Sequence, residues 1–120
     1  MTSRAHDAQT RLLLDRVEQR LPPAAMREAA MFGVIAIMLD DVMLLAVHKD
    51  CSLLVRVDPV DDDELVHRHG ASRAEMGTGR SMGAGWIRVD AEAVRDDRDL
   101  DEWLAPAVRF WQRRAAAGST

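Results

Sequence analysis

A chain of 120 residues suffices for one domain that buries about two-thirds of its unfolded surface, so no metal or disulfide is required to hold a core. Its single cysteine, Cys51, excludes an intrachain disulfide and a zinc site built on several cysteines, and a reducing cytoplasm is the simplest compartment. A formal charge of −4 disfavours direct nucleic-acid binding, and no apolar run approaches the roughly eighteen residues of a membrane-spanning helix.

Residues 7–21 read as the first helix, with Asp7 as N-cap and Leu14, Val17 and Leu21 at helical spacing beside Leu13. Pro22-Pro23 stops it, and Ala24–Ala30 reads as the lead-in to a strand. From Met31 to Val57 come three apolar runs separated by Asp40-Asp41 and by His48-Lys49-Asp50. Such runs predict three strands joined by tight turns, an antiparallel meander opened by Met31-Phe32-Gly33. Strict alternation puts Met31, Ile35 and Ile37 on one face and Phe32, Val34, Ala36 and Met38 on the other. It likewise sets Val42, Leu44 and Ala46 against Met43, Leu45 and Val47. Both faces are apolar, where a half-solvated antiparallel sheet would alternate with polar residues. Helices, a partner or a second copy must cover each. The third run is closer to one-sided, with Leu53, Val55 and Val57 against Ser52, Leu54 and Arg56.

Asp61–His69 reads as a short helix preceded by Pro59, capped by Asp61 and ended by Gly70. Its acidic start and its basic end at His67, Arg68 and His69 suit the helix dipole, which assigns the run no partner. Arg73–Asp90 reads as a hairpin whose connection is the glycine-rich segment Gly77–Gly85. Trp86 and Arg88 fall on one face of its second strand, and Ile87 and Val89 on the other. Asp97–Ala115 reads as the last helix, with Leu100, Trp103, Leu104, Ala107, Val108 and Trp111 forming its apolar stripe. Pro106 removes one backbone donor there and predicts a kink near Glu102–Ala105, while Ala115–Thr120 reads as a frayed tail.

None of the chemistry-bearing residues forms a recognisable catalytic pattern. His67 and His69 are two apart, on different sides of a helix, and HKDC at 48–51 sits in a turn. A Cys51–His48 nucleophile pair needs a geometry that spacing alone does not establish. The run GTGRSMGAG lacks the lysine and spacing of a phosphate loop, although its amides and Arg80 suit a small anion. The acidic stretch Asp90–Glu102 lacks Ca²⁺-loop spacing and reads as the solvated start of a helix. No catalytic, cofactor or metal residue is assigned, and the chain is not expected to be an enzyme.

The resulting expectation is an α+β fold, two layers with an antiparallel sheet, in the order α-β-β-β-α-β-β-α. Four segments resemble the N-terminal domain of the TfoX/Sxy family: MFG at Met31–Gly33, LLVRVD at Leu53–Asp58, MGTGRSMGAGWIRVD at Met76–Asp90 and DLDEWLAPAVRFW at Asp99–Trp111. The resemblance covers about residues 10–115 of a single domain spanning 1–120. Ser81–Ala84 puts one residue more between Arg80 and the Gly85-Trp86 pair than the family pattern has, which suggests a bulge or longer turn.

The resemblance implies a two-layer α/β fold and a regulatory role. Full-length relatives are similar to regulators of competence genes that act with a transcription activator and carry a second, C-terminal domain. Here the expectation is a stand-alone cytoplasmic domain, an adaptor that binds protein, forms a homodimer and lacks its own DNA-binding domain. Arg56, Arg80 and Trp86 are the candidate interaction surface, since arginine and tryptophan are enriched at interface hot spots. The alternatives are a binder of a small anionic or apolar ligand through Gly77–Gly85, and a nucleic-acid-binding regulator.

Overall fold

The computed structural model describes residues 2–31, 33–75 and 79–118. Its first helix, α1 (Thr2–Glu18), begins before Asp7, so Asp7 lies inside the helix and does not cap it. Nothing between Thr2 and His6 breaks a helix, which is why the cap signal is overridden. Leu13, Leu14 and Val17 form its buried stripe, and Leu21 follows them into the core after the helix has ended.

The segment read as a lead-in is a full strand. Strand β1 (Met26–Met31) pairs antiparallel with β2 (Val34–Leu39), and Gly33 between them has φ +80. The chain therefore does not open a strand at Met31, which ends β1 and pairs with Val34 of β2, and Phe32 lies outside the described residues. Glycine takes a positive φ without steric cost, and that freedom makes the reversal here. The fold is the expected α+β, with one strand more at its start.

Strand β3 (Val42–Val47) follows through Asp40 (φ 49) and Asp41 (φ 68). Two successive positive φ values make the two-residue turn whose twist matches a hairpin. Strand β4 (Leu53–Arg56) returns antiparallel beside β3. Helix α2 (Pro59–Leu65) starts earlier than expected because Asp58, not Asp61, caps it, accepting from the Val60 amide at 3.0 Å. Pro59 then takes the first helical position, where its missing N–H costs nothing. His67, Arg68 and His69 lie beyond the helix.

Strands β5 (Ala71–Arg73) and β6 (Trp86–Val89) form the second hairpin, and β6 inserts between β4 and β5. The sheet order is β1-β2-β3-β4-β6-β5, with every neighbouring pair antiparallel. A 3-10 turn at Ala91–Val94 leads into α3 (Asp97–Gly118), which runs as one helix through Pro106. Ala115–Gly118 are helical rather than frayed.

Every helix buries its residues in one cluster. Leu14 and Val17 of α1, Leu65 of α2 and Leu100, Trp103 and Leu104 of α3 meet Ile37, Leu45, Val47, Leu53, Val55, Ile87 and Val89 of the sheet. This defines two layers, helices over one sheet face. Strict alternation fails once: the ladder between β2 and β3 slips between Ile37 and Met38, so Leu44 joins Leu45 in the main core and Met43 turns to the opposite face. A bulge of this kind adds one unpaired residue and reverses facing beyond it.

Charged side chains lock the layers. Arg16 reaches from α1 to the carbonyls of Val94 (2.9 Å) and Arg95 (3.0 Å) and to Asp97 (3.1 Å), while Arg20 bonds Asp101. The acidic stretch is thus partly an anchor for α1. Leu100 is fully buried in α3, and Leu100→Ala is expected to cost about 3 kcal/mol by urea unfolding.

Candidate functional site

The sheet face opposite the helices carries a second apolar cluster. Ala36, Ala46, Leu54 and Ala74 are buried at its centre, and Val34, Met38, Met43, Met82 and Trp86 pack half-buried around them. Among the described residues no helix side chain enters it. The strands place this set by alternation: Ala36 faces Ala46 across β2 and β3, and Ala46 faces Leu54 across β3 and β4. Small residues at the centre leave a shallow floor, and methionines, unbranched and polarizable, form an adaptable wall.

At one side of this face lies a cleft of about 600 Å³ lined by His48, Leu54, Ser72, Arg73, Ala74, Glu75, Met82 and Arg88. Its cations are already engaged. Arg88 bonds Asp90 at 2.8 Å and Asp50 at 3.0 Å, and Arg73 is tied to Asp62. Cys51 packs on the main core, with its Sγ 4.0 Å from Thr10 Oγ1, whereas His48 lines the cleft on the other face. The turn thus separates the Cys51 and His48 side chains instead of pairing them.

The glycine-rich connection is held down by a polar clamp. Asp62 of α2, only 5% exposed, accepts from Arg73 Nη1 at 2.7 Å and from the Gly85 amide at 2.8 Å. Arg73 Nη1 also donates to the carbonyls of Gly83 (2.8 Å) and Trp86 (3.2 Å). The Arg73 guanidinium foremost, then the Gly85 amide, holds the Asp62 carboxyl below the usual carboxylate range against the opposing effect of burial. The clamp fixes where Trp86 enters β6.

The three residues expected at the surface separate in the fold. Arg56, at the end of β4, stands opposite Trp86 in the β4–β6 ladder. Its guanidinium carbon lies 4.9 Å from the Trp86 ring centroid and 4.8 Å from that of Phe110 on α3. Both distances are within cation–π range. Burial, then the charge of Arg114, lowers the proton affinity of Arg56, which remains cationic. Trp86 is half-buried between this stack and the second cluster. Arg80 is exposed in the β5–β6 connection, with no hydrogen bond or ion pair to any described residue.

Sequence reasoning missed Asp62, Arg73 and Phe110. Asp62 is hidden in the run DDDE, where helix electrostatics explains all four carboxylates equally. One signal was present: an arginine in a short strand next to a glycine-rich connection that needs anchoring. Phe110 projects from α3 one residue short of the main stripe's Trp111, and that offset turns its ring to Arg56.

The family description TfoX N-terminal domain matches residues 19–111. That span runs from the residue after α1 to Trp111 in α3, and takes in strands β1 to β6 and α2. No curated protein and no solved structure matches the chain. A match over most of the length, on the sheet, α2 and much of α3, leaves one conclusion: the chain belongs to the TfoX N-terminal domain family.

Proposed function

We propose that this domain is a cytoplasmic regulatory module that acts by binding a protein, an adaptor in transcription or competence control. The observation that carries the reading is the helix-free sheet face, where Met38, Met43, Met82 and Trp86 stand half-buried around Ala36, Ala46 and Leu54. A contiguous apolar patch left outside the core is one of the marks of an interaction surface. Methionine-lined surfaces suit partners whose side chains vary.

Met43 tests this, because it sits on the patch and not in the main core. Met43→Glu is expected to lower stability by about 1 kcal/mol and to abolish partner binding. The check is capture with wild type and variant, followed by titration of the purified partner. A partner that binds both proteins equally counts against the helix-free face. A second copy of the chain is the other occupant that the face admits, and native mass spectrometry of wild type and Met43→Glu reads it directly as a dimer that the variant loses.

The second reading is a small-ligand site, favoured by the cleft of about 600 Å³ beside the glycine-rich connection. It is expected to show as a thermal shift that saturates with a metabolite and disappears in Met82→Asp. Nucleic-acid binding ranks below both, since the net charge is −4 and binding of that kind would weaken steeply with salt.

A further inference from the structure

We propose that Arg56, packed against Trp86 and Phe110, is a receptor for a carboxylate on the partner: an Asp or Glu side chain flanked by apolar residues. This rests on the protein-binding reading above and names the chemistry of the partner.

Five arginines are half-buried among the described residues: Arg16, Arg20, Arg56, Arg73 and Arg88. Four of them have an acceptor. Arg16 bonds Val94, Arg95 and Asp97; Arg20 bonds Asp101; Arg73 bonds Asp62; and Arg88 bonds Asp50 and Asp90. Arg56 alone has rings over its guanidinium and no acceptor among the described residues. Desolvating a cation without pairing it is unfavourable, and the two rings offset only part of that cost.

The rings also decide geometry. A guanidinium directs its N–H donors within its own plane, and a carboxylate meets two of them side by side. Two rings with centroids 4.9 and 4.8 Å from the guanidinium carbon restrain the fork, while no described acceptor takes up its N–H donors. Arg114, exposed and close enough to act on the charge of Arg56, puts a second cation beside it in a chain whose net charge is −4.

Two observations select a single carboxylate over a polyanion. Asp58 and Asp61 lie nearby, bridged by Arg113 at 3.0 and 3.6 Å, one turn along α3 from Phe110. Their negative charge repels a nucleic-acid backbone more than one side chain. Trp86 is shared between the Arg56 stack and the methionine-lined cluster, so apolar residues beside the acid would continue onto the patch.

The test is a titration of wild-type protein followed by NMR, reading the Arg56 Nε–H and Trp86 Nε1–H signals. The probes are acetyl-Met-Leu-Glu-Leu-Met-amide, the same peptide with Gln in place of Glu, and inorganic phosphate. The Glu peptide is expected to shift both signals saturably and to bind about tenfold more tightly than the Gln peptide, a difference of about 1.4 kcal/mol. Arg56→Lys keeps the charge and loses the fork, and is expected to erase the Glu-over-Gln preference. Equal binding of the two peptides overturns the inference while leaving the protein-binding face standing. A shift with phosphate but with neither peptide overturns it in favour of a small-anion site, and no shift with any probe overturns it outright. Glu-selective binding that Met43→Glu leaves intact supports Arg56 and moves the partner off the methionine-lined face.

Discussion

Asp62→Ala is expected to cost about 3 kcal/mol and to lower the melting temperature by about 10 °C. The carboxylate is buried, and its loss leaves the Gly85 amide without its acceptor and Arg73 without its counter-ion. Arg73 keeps its bonds to Gly83 and Trp86, so the strand is loosened rather than released. Arg73→Ala is the complementary change, and it strands a buried carboxylate. If the two act as one clamp, the double variant costs clearly less than the sum of the singles.

The same pair predicts a pH dependence. Arg73 and the Gly85 amide hold Asp62 below its usual carboxylate range when folded. Its contribution is therefore fully present above the unfolded value of about 4 and is lost as pH falls through the depressed folded value. Asp62→Asn is expected to be less stable than wild type at pH 7, with the difference closing as pH falls below about 4. Urea unfolding of both proteins across that range checks it, and a difference independent of pH would exclude an ionic role for Asp62.

The second large effect is expected at Gly70. Its φ is +81, and a Cβ built there would stand 2.4 Å from the Ala93 Cβ. Gly70→Ala therefore combines left-handed strain of about 1 kcal/mol with a steric clash, for a total of about 3 kcal/mol. The site is rigid, because the Gly70 carbonyl also accepts from the Asp90 amide at 2.8 Å, tying the start of β5 to the end of β6. Adding Ala93→Gly removes the clash but not the strain. The double variant is expected to recover most of the steric loss and stay about 1 kcal/mol below the Ala93→Gly single. No recovery would place the cost wholly in the backbone.

Much of the fold was legible in local pattern. Leu14 and Val17 gave the face of α1, Leu53 and Val55 gave the inward side of β4, and the stripe from Leu100 to Trp103 gave α3. Each signal is a short-range periodicity fixed by helix or strand geometry. The family resemblance was legible too, in segments that prove to be strands and turns of the sheet and the last helix. Strand β1 was not. Its sequence MREAAM has neither alternation nor β-branched residues, and it is a strand because β2 offers it an edge to pair with. The bulge at Leu44 was hidden for the same reason, since register belongs to two strands and not to one.

The candidate surface divides in the same way. The two-sided apolarity of Met31–Val47 was set by the sequence alone, together with the α+β class, because burial preference and periodicity are properties of a single segment. Tertiary structure decided which face the helices take and which set of side chains is left as a methionine-lined patch. It also decided that Asp62, one of four adjacent acids, is the buried one, and that Arg56 meets two rings drawn from different layers. Those outcomes depend on distances between residues far apart in the chain, and pairing across such separations is fixed only when the layers pack.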